Sequence, residues 1–336
     1  PRSTLFPYTT LFRSPFTMHI PENYLSPETC AVMAVLAAPV VIVCAKRIKS
    51  KLSSQELPLL GVGAAVSFLL MMFNIPVPGG TSAHAVGGTL LAALLGPEAA
   101  VLSVASALLI QAVFFGDGGI LALGANIFNM AVLMPLVGYG LYSLLKKALP
   151  NVVALAIGAY AGINAAAFMA AIEFGIQPML FHDPAGLALY APYPLSIAIP
   201  AMMIPHLTIA GLAEVIFTVG IYSFVHGKDT GTISIKNKVL YGIMGLLVVL
   251  CPLGLLTEAT AWGEWGTDEI VDVAEGGSAL GYVPQGMEQG FSWESPLADY
   301  AFPGMPDVTG YILSAVIGIA LLVIVYRVIG KVAYAR

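Results

Sequence analysis

Eight runs of roughly 20 mostly apolar residues dominate this chain, at about 28–46, 58–75, 98–115, 120–145, 152–175, 196–225, 238–257 and 309–328. Runs of that length match the thickness of a bilayer, where every backbone polar group must pair inside protein. The expected fold class is therefore all-α, a polytopic membrane helical bundle. Bulk composition agrees, with 58% hydrophobic and 10% charged residues against about 25% charged in a soluble domain. The net charge of -5 says little about partners, because ten of the acids fall between Glu258 and Val308. No basic stripe suggests nucleic acid. Cys30, Cys44 and Cys251 have neither paired spacing nor neighbouring histidines, and read as small helix residues rather than a disulfide or zinc framework.

Charge placement gives a topology. Residues 1–17 share nothing in composition with the remainder of the chain and lack the apolar core of a signal peptide, so they read as adaptor-like sequence preceding Met18, or else as a short natural extension. Beyond them, the Lys and Arg residues fall in four clusters: 46–51, 146–147, 228–238 and 327–336. If these are cytoplasmic, Met18 and the 258–308 loop lie outside and the C-terminus inside the cell membrane. Parity then requires an even number of crossings between the first two clusters, where only three full-length spans exist. The remaining apolar stretch, His84 to Gly96, reaches only about 20 Å as a helix and is expected as a short third helix with His84 at its outer end. That makes nine crossings, seven before Lys228 and two after. The acidic 258–308 loop reads either as a cation-attracting antechamber or as an exported segment stripped of Lys and Arg, with Trp262, Trp265 and Trp293 suited to a folded cap.

So apolar a chain has few groups able to hold a metal. In Met18-His19-Ile20-Pro21, a free Met18 amine, the His19 amide nitrogen and the His19 ring nitrogen would close one five-membered and one six-membered chelate ring. The imidazole of His84, in Gly79-Gly80-Thr81-Ser82-Ala83-His84, can complete a four-nitrogen square. Such a set suits Ni(II) or Cu(II) first, and Co(II), better than Mg, Ca or tetrahedral zinc.

Met-His-Ile-Pro-Glu-Asn-Tyr-Leu-Ser-Pro at 18–27, Pro-Gly-Gly-Thr-Ser-Ala-His at 78–84, Phe-Phe-Gly-Asp-Gly-Gly at 114–119 and Gly-Ala-Asn-Ile-Phe-Asn-Met at 124–130 resemble the CbiM/NikM family. These are the substrate-binding membrane components of energy-coupling-factor transporters for cobalt or nickel. The resemblance covers about 18–225. Residues 228–336 resemble the two-span accessory region often joined to such components, without its Pro-Asp-Gly-Leu-Glu signature. It implies a metal-binding membrane domain over 18–227 of about seven helices plus two C-terminal ones. It further implies an inserted N-terminal segment whose Met18 is retained, and ligands at Met18, His19 and His84. The metal, Co2+ or Ni2+, is cargo, with no permanently bound cofactor. The implied partners are a transmembrane coupling component and separate ATPase subunits.

Other polar residues have two readings each. Asn126 and Asn129 either orient a metal-bound imidazole or glue helices together. Gln111 and Asp117, which flank an outer turn next to them, and Ser82 are further candidates to support the metal ligands. The plainer reading is that Gln111 and Asp117 belong to the turn and that Ser82 and Thr81 shape the His84 loop. His206 and Glu214 sit inside the seventh span, where polar groups raise a functional question. Glu173 and His182 read as solvated boundary residues. The small-residue patch 156–162 allows close helix packing, inside the bundle or with a partner. The chain has no G-x-x-x-x-G-K-[ST] segment for ATP and no H-E-x-x-H for an intramembrane metalloprotease, so it reads as a transport subunit rather than an enzyme. The alternative transporter, an autonomous ion-coupled permease, would be expected to show inverted repeats and more intramembrane carboxylates.

Overall fold

A computed structural model describes residues 19–51, 57–78, 81–226, 233–257, 260–275 and 277–333. Residues 1–17, Met18 and the Gly79–Gly80 pair lie outside the described residues.

The chain is an all-α membrane bundle. Six helical stretches are long and apolar enough to cross a bilayer, Pro27–Lys51, Pro97–Phe115, Leu123–Leu145, Asn151–Leu180, Leu195–Val225 and Asp307–Lys331; two apolar helices, Leu57–Met71 and Tyr241–Leu256, are shorter. In chain order, α1 (Pro27–Lys51) and α2 (Leu57–Met71) precede a two-stranded antiparallel hairpin, β1 (Ile75–Val77) and β2 (Thr81–Ala83). A short α3 (Gly88–Leu95) leads into α4 (Pro97–Ile110). Then come α5 (Leu123–Asn126), α6 (Met134–Leu145), α7 (Asn151–Gly175), α8 (Gln177–Leu180), α9 (Leu195–Pro205) and α10 (Gly211–His226). The last part holds α11 (Ile233–Leu250), α12 (Gln285–Gln289) and α13 (Asp307–Ala333).

α2 is hydrophobic all round, which fits a helix enclosed by others; nearly all of it is buried, against α4, α11 and α13. α13 seats Gly318 on the Phe68 ring of α2, and its Tyr326 hydroxyl donates to the Leu102 carbonyl of α4 at 3.0 Å. The C-terminal spans are therefore built into the bundle. α6 and α7 touch backbone to backbone: a Cβ on Gly158 would lie 2.5 Å from the Gly138 carbonyl oxygen. That answers the small-residue patch, since Gly158 and Gly162 serve contacts inside this chain.

The expected third helix needs correction. It begins at Gly88, not His84, and spans 8 residues. Its predecessors 84–87 are irregular and follow an unforeseen hairpin. Gly87 adopts the left-handed φ of 75°, which a glycine tolerates cheaply and which stops the helix from running back to His84. The Val86 and Gly87 N–H groups donate instead to the buried Glu214 carboxylate of α10, at 2.8 and 3.1 Å. Glu173, expected at a solvated boundary, is buried in α7 and accepts from Asn129 Nδ2 at 2.8 Å.

Candidate metal centre

The segment 19–26 lies in a groove of the bundle as an irregular strap, pinned residue by residue. The Ile20 N–H donates to Asn126 Oδ1 at 3.0 Å, and Asn126 Nδ2 donates back to the Ile20 carbonyl at 3.1 Å. The same carbonyl accepts from the Gly119 N–H at 2.9 Å. Glu22 accepts from the Ile120 and Leu121 N–H groups at 2.6 and 3.1 Å. Burial pushes its carboxyl above the ordinary range, against the pull of those two bonds. Further along, the Ser26 N–H donates to Gln177 Oε1 at 3.0 Å. The Gly-Asp-Gly-Gly turn makes room for the strap: Gly118 has φ 88°, and a Cβ there would lie 2.9 Å from the His19 Cβ.

This anchoring brings His19 to His84, 65 residues apart in sequence, with ring centroids 5.2 Å apart and planes at 67°. His19 Nδ1–H donates to Asp117 Oδ1 at 2.7 Å, and Nε2 is enclosed with no hydrogen-bond partner among the described residues. His84 donates from Nδ1 to the Ala85 carbonyl at 3.1 Å, which puts the lone pair on Nε2. Both rings face a cavity of about 90 Å³ also lined by Asn129, His206, Trp262 and Glu264.

Three π-helical turns adjoin this cavity or its supports: Gln111–Phe115, Ile127–Leu133 and His206–Ala210. Such turns re-aim side chains within a helix and are common near functional sites. Gln111 Nε2 donates to Asp117 Oδ2 at 3.2 Å and to the Tyr300 hydroxyl at 3.1 Å. Tyr300 donates to the same Asp117 Oδ2 at 2.6 Å. His206 donates from Nδ1 to the Met202 carbonyl at 2.7 Å, one turn back. Asn126, read from sequence either as orienting an imidazole or as joining helices, addresses the main chain next to His19, and Asn129 joins its helix to α7 through Glu173. Ser82 pairs with Pro76 in the hairpin register and lines the cavity.

Residues of the segment between α11 and α13 close the cavity. The Trp262 N–H donates to Thr81 Oγ1 at 2.9 Å, tying the segment to the hairpin that leads to His84. Tyr24 donates to the Trp265 carbonyl at 2.6 Å, and Trp262 and Trp265 pack edge to face at 5.7 Å. The tryptophan cap suggested by sequence is thus present for these two. Glu264 projects into the cavity with Oε2 enclosed and unpartnered among the described residues. Burial, then the charge of Asp117, pushes its carboxyl well above the ordinary value. Sequence reasoning missed Tyr300 and Glu264 as site residues. No local signal marks them, because Tyr300 meets Asp117 across 183 residues.

Comparison with known proteins agrees with this architecture. The family model for the cobalt uptake substrate-specific transmembrane region matches residues 19–229, and the PDGLE domain model matches 236–335. The fused nickel transport protein NikMN of Rhodobacter capsulatus is 46% identical over 330 residues, covering 91% of this chain and 95% of its own. The probable fused nickel transport protein LarMN of Lactiplantibacillus plantarum is 48% identical over 318 residues, covering 92% of this chain and 97% of its own. A crystal structure of a transition metal transporter superposes with a TM-score of 0.62 at 53% identity, covering 66% of this chain and 98% of that one.

Proposed function

Because the chain belongs to the cobalt-uptake substrate-specific transmembrane family, and is a multi-pass membrane protein of nickel or cobalt transport, we propose that it is the subunit that captures the ion. Capture uses four nitrogens: the Met18 amine, the His19 amide, the His19 ring and the His84 ring. The observation that carries this reading is the approach of the two imidazoles to 5.2 Å beside a cavity inside the bundle.

The geometry also shapes how the ion is taken. A metal-bound imidazole usually gives its other nitrogen to a carboxylate, and Asp117 is that carboxylate for His19. A six-membered chelate ring through Nδ1 requires the His19 side chain to turn about both Cα–Cβ and Cβ–Cγ, so that Nδ1 leaves Asp117 Oδ1 and Nε2 comes to the carboxylate in its place. Ion entry therefore replaces a hydrogen bond at Nδ1 with a metal bond. Binding releases protons, since the amine titrates near about 8 and the amide must deprotonate.

Outside the membrane, the 18 end and the 258–308 loop face the source of metal. Inside, the basic clusters face the cytoplasm, where a coupling component and ATPase subunits drive transport. Residues 18–227 form the capture domain and 228–336 the accessory region.

Nickel titration of the chain beginning at Met18 should show tight binding with proton release. The same chain carrying residues 1–17, or His84→Ala, should lose it while keeping its helical content. Retention of wild-type affinity in His84→Ala would remove that residue from the site. Nickel movement by this chain alone in sealed vesicles, without ATPase, would favour the autonomous permease instead.

A further inference from the structure

We infer that Tyr300, supplied by the segment between α11 and α13, is a positioning residue for the metal centre, acting through Asp117 on the His19 ring. The inference rests on the capture reading above and adds a residue to it from the accessory region.

The contact is specific. Tyr300 is 2% exposed, and its hydroxyl donates to Asp117 Oδ2 at 2.6 Å while Asp117 Oδ1 holds His19 Nδ1 at 2.7 Å. Gln111 Nε2 reaches the same Oδ2 and also the Tyr300 hydroxyl. With two donors on Oδ2, the carboxylate cannot rotate without losing both, so Oδ1 stays aimed at the imidazole. A hydrogen bond from a hydroxyl to a buried carboxylate is strong when the carboxylate is charged.

Packing alone does not account for this arrangement. The Tyr300 ring stacks on Phe115 at 4.7 Å and 15°, which phenylalanine would do equally well. Yet Asp299 and Tyr300 are consecutive non-glycine residues in the left-handed region, at φ 58° and 57°. That conformation persists only where surroundings over-determine it, and it tends to occur where a side chain must be aimed. The surroundings are visible: Ser314 of α13 donates to the Tyr300 carbonyl at 2.8 Å, and the Leu297 N–H donates to the Phe114 carbonyl at 2.9 Å. The segment is thus clamped to the π turn that carries Gln111, just upstream of the Asp117 turn.

The test is nickel titration of the chain beginning at Met18, otherwise unaltered, against its Tyr300→Phe form, each with and without Asp117→Ala. Filter retention in native membranes, run beside detergent measurements, keeps poor solubility from passing as lost binding. Removing an outlying partner of a metal ligand costs about 10–100-fold in affinity. Tyr300→Phe should weaken nickel binding about 10-fold and shift the nickel ligand-field absorption. In the Asp117→Ala background the same substitution should change nothing further. Unchanged affinity in Tyr300→Phe, or an equal loss without Asp117, would overturn the inference and leave Tyr300 a packing residue. Failure of the wild type to bind nickel would sink the capture reading itself, whereas wild-type binding with no Tyr300 effect sinks only this step.

Discussion

At His19 the controlling contacts are to the residue's own backbone neighbour and to one carboxylate. Asn126 satisfies both polar groups of Ile20, so the imidazole starts from a fixed Cα before Asp117 fixes the ring. Asn126→Leu would orphan the Ile20 N–H, since the carbonyl keeps its bond from Gly119. That should cost about 1–3 kcal/mol of stability, read by thermal melting. Nickel affinity should fall about 10–100-fold, as for loss of a supporting contact. An unchanged nickel isotherm would mean that Gly119 and Glu22 suffice to hold the strap. The sequence pointed to Asn126 through its motif and polarity inside an apolar run. It did not reveal that the amide bonds a main chain 106 residues away.

At the level of elements, the irregular 84–87 link between the hairpin and α3 is held by a carboxylate of α10. Glu214 fills the role of a capping group for the Val86 and Gly87 N–H groups, and the Thr218 hydroxyl supports it at 3.2 Å. Glu214→Ala should free both N–H groups, costing about 1–3 kcal/mol for each, and should let His84 drift from His19. Glu214→Gln keeps one acceptor oxygen and should fall between wild type and Ala in both melting temperature and nickel affinity. Equal nickel binding in all three proteins would show that the hairpin alone positions His84. Periodicity and length located the helices because each is written in contiguous residues. The break at Gly87 was hidden because the carboxylate that stabilises it lies 127 residues further on.

Across the whole molecule, the segment between α11 and α13 closes over the cavity that His19 and His84 face, and Glu264 lines it. A carboxyl whose folded pKa is raised contributes stability while protonated, in full below its unfolded value near 4.5, and loses it as pH rises through the folded value. Glu264→Gln, neutral at every pH, should therefore melt like wild type near pH 4 and higher than wild type at pH 8, in metal-free protein. Parallel melting curves across that range would show that Glu264 is not held in a penalised charged state.

Residue order by itself determined the membrane class and singled out two imidazoles as candidate ligands, because hydropathy and donor chemistry are local properties. The tertiary structure decided which groups hold those imidazoles. Asp117, Glu214 and Tyr300 take their roles through contacts between segments distant along the chain, and a buried polar group's partner depends on what packing brings within hydrogen-bond reach.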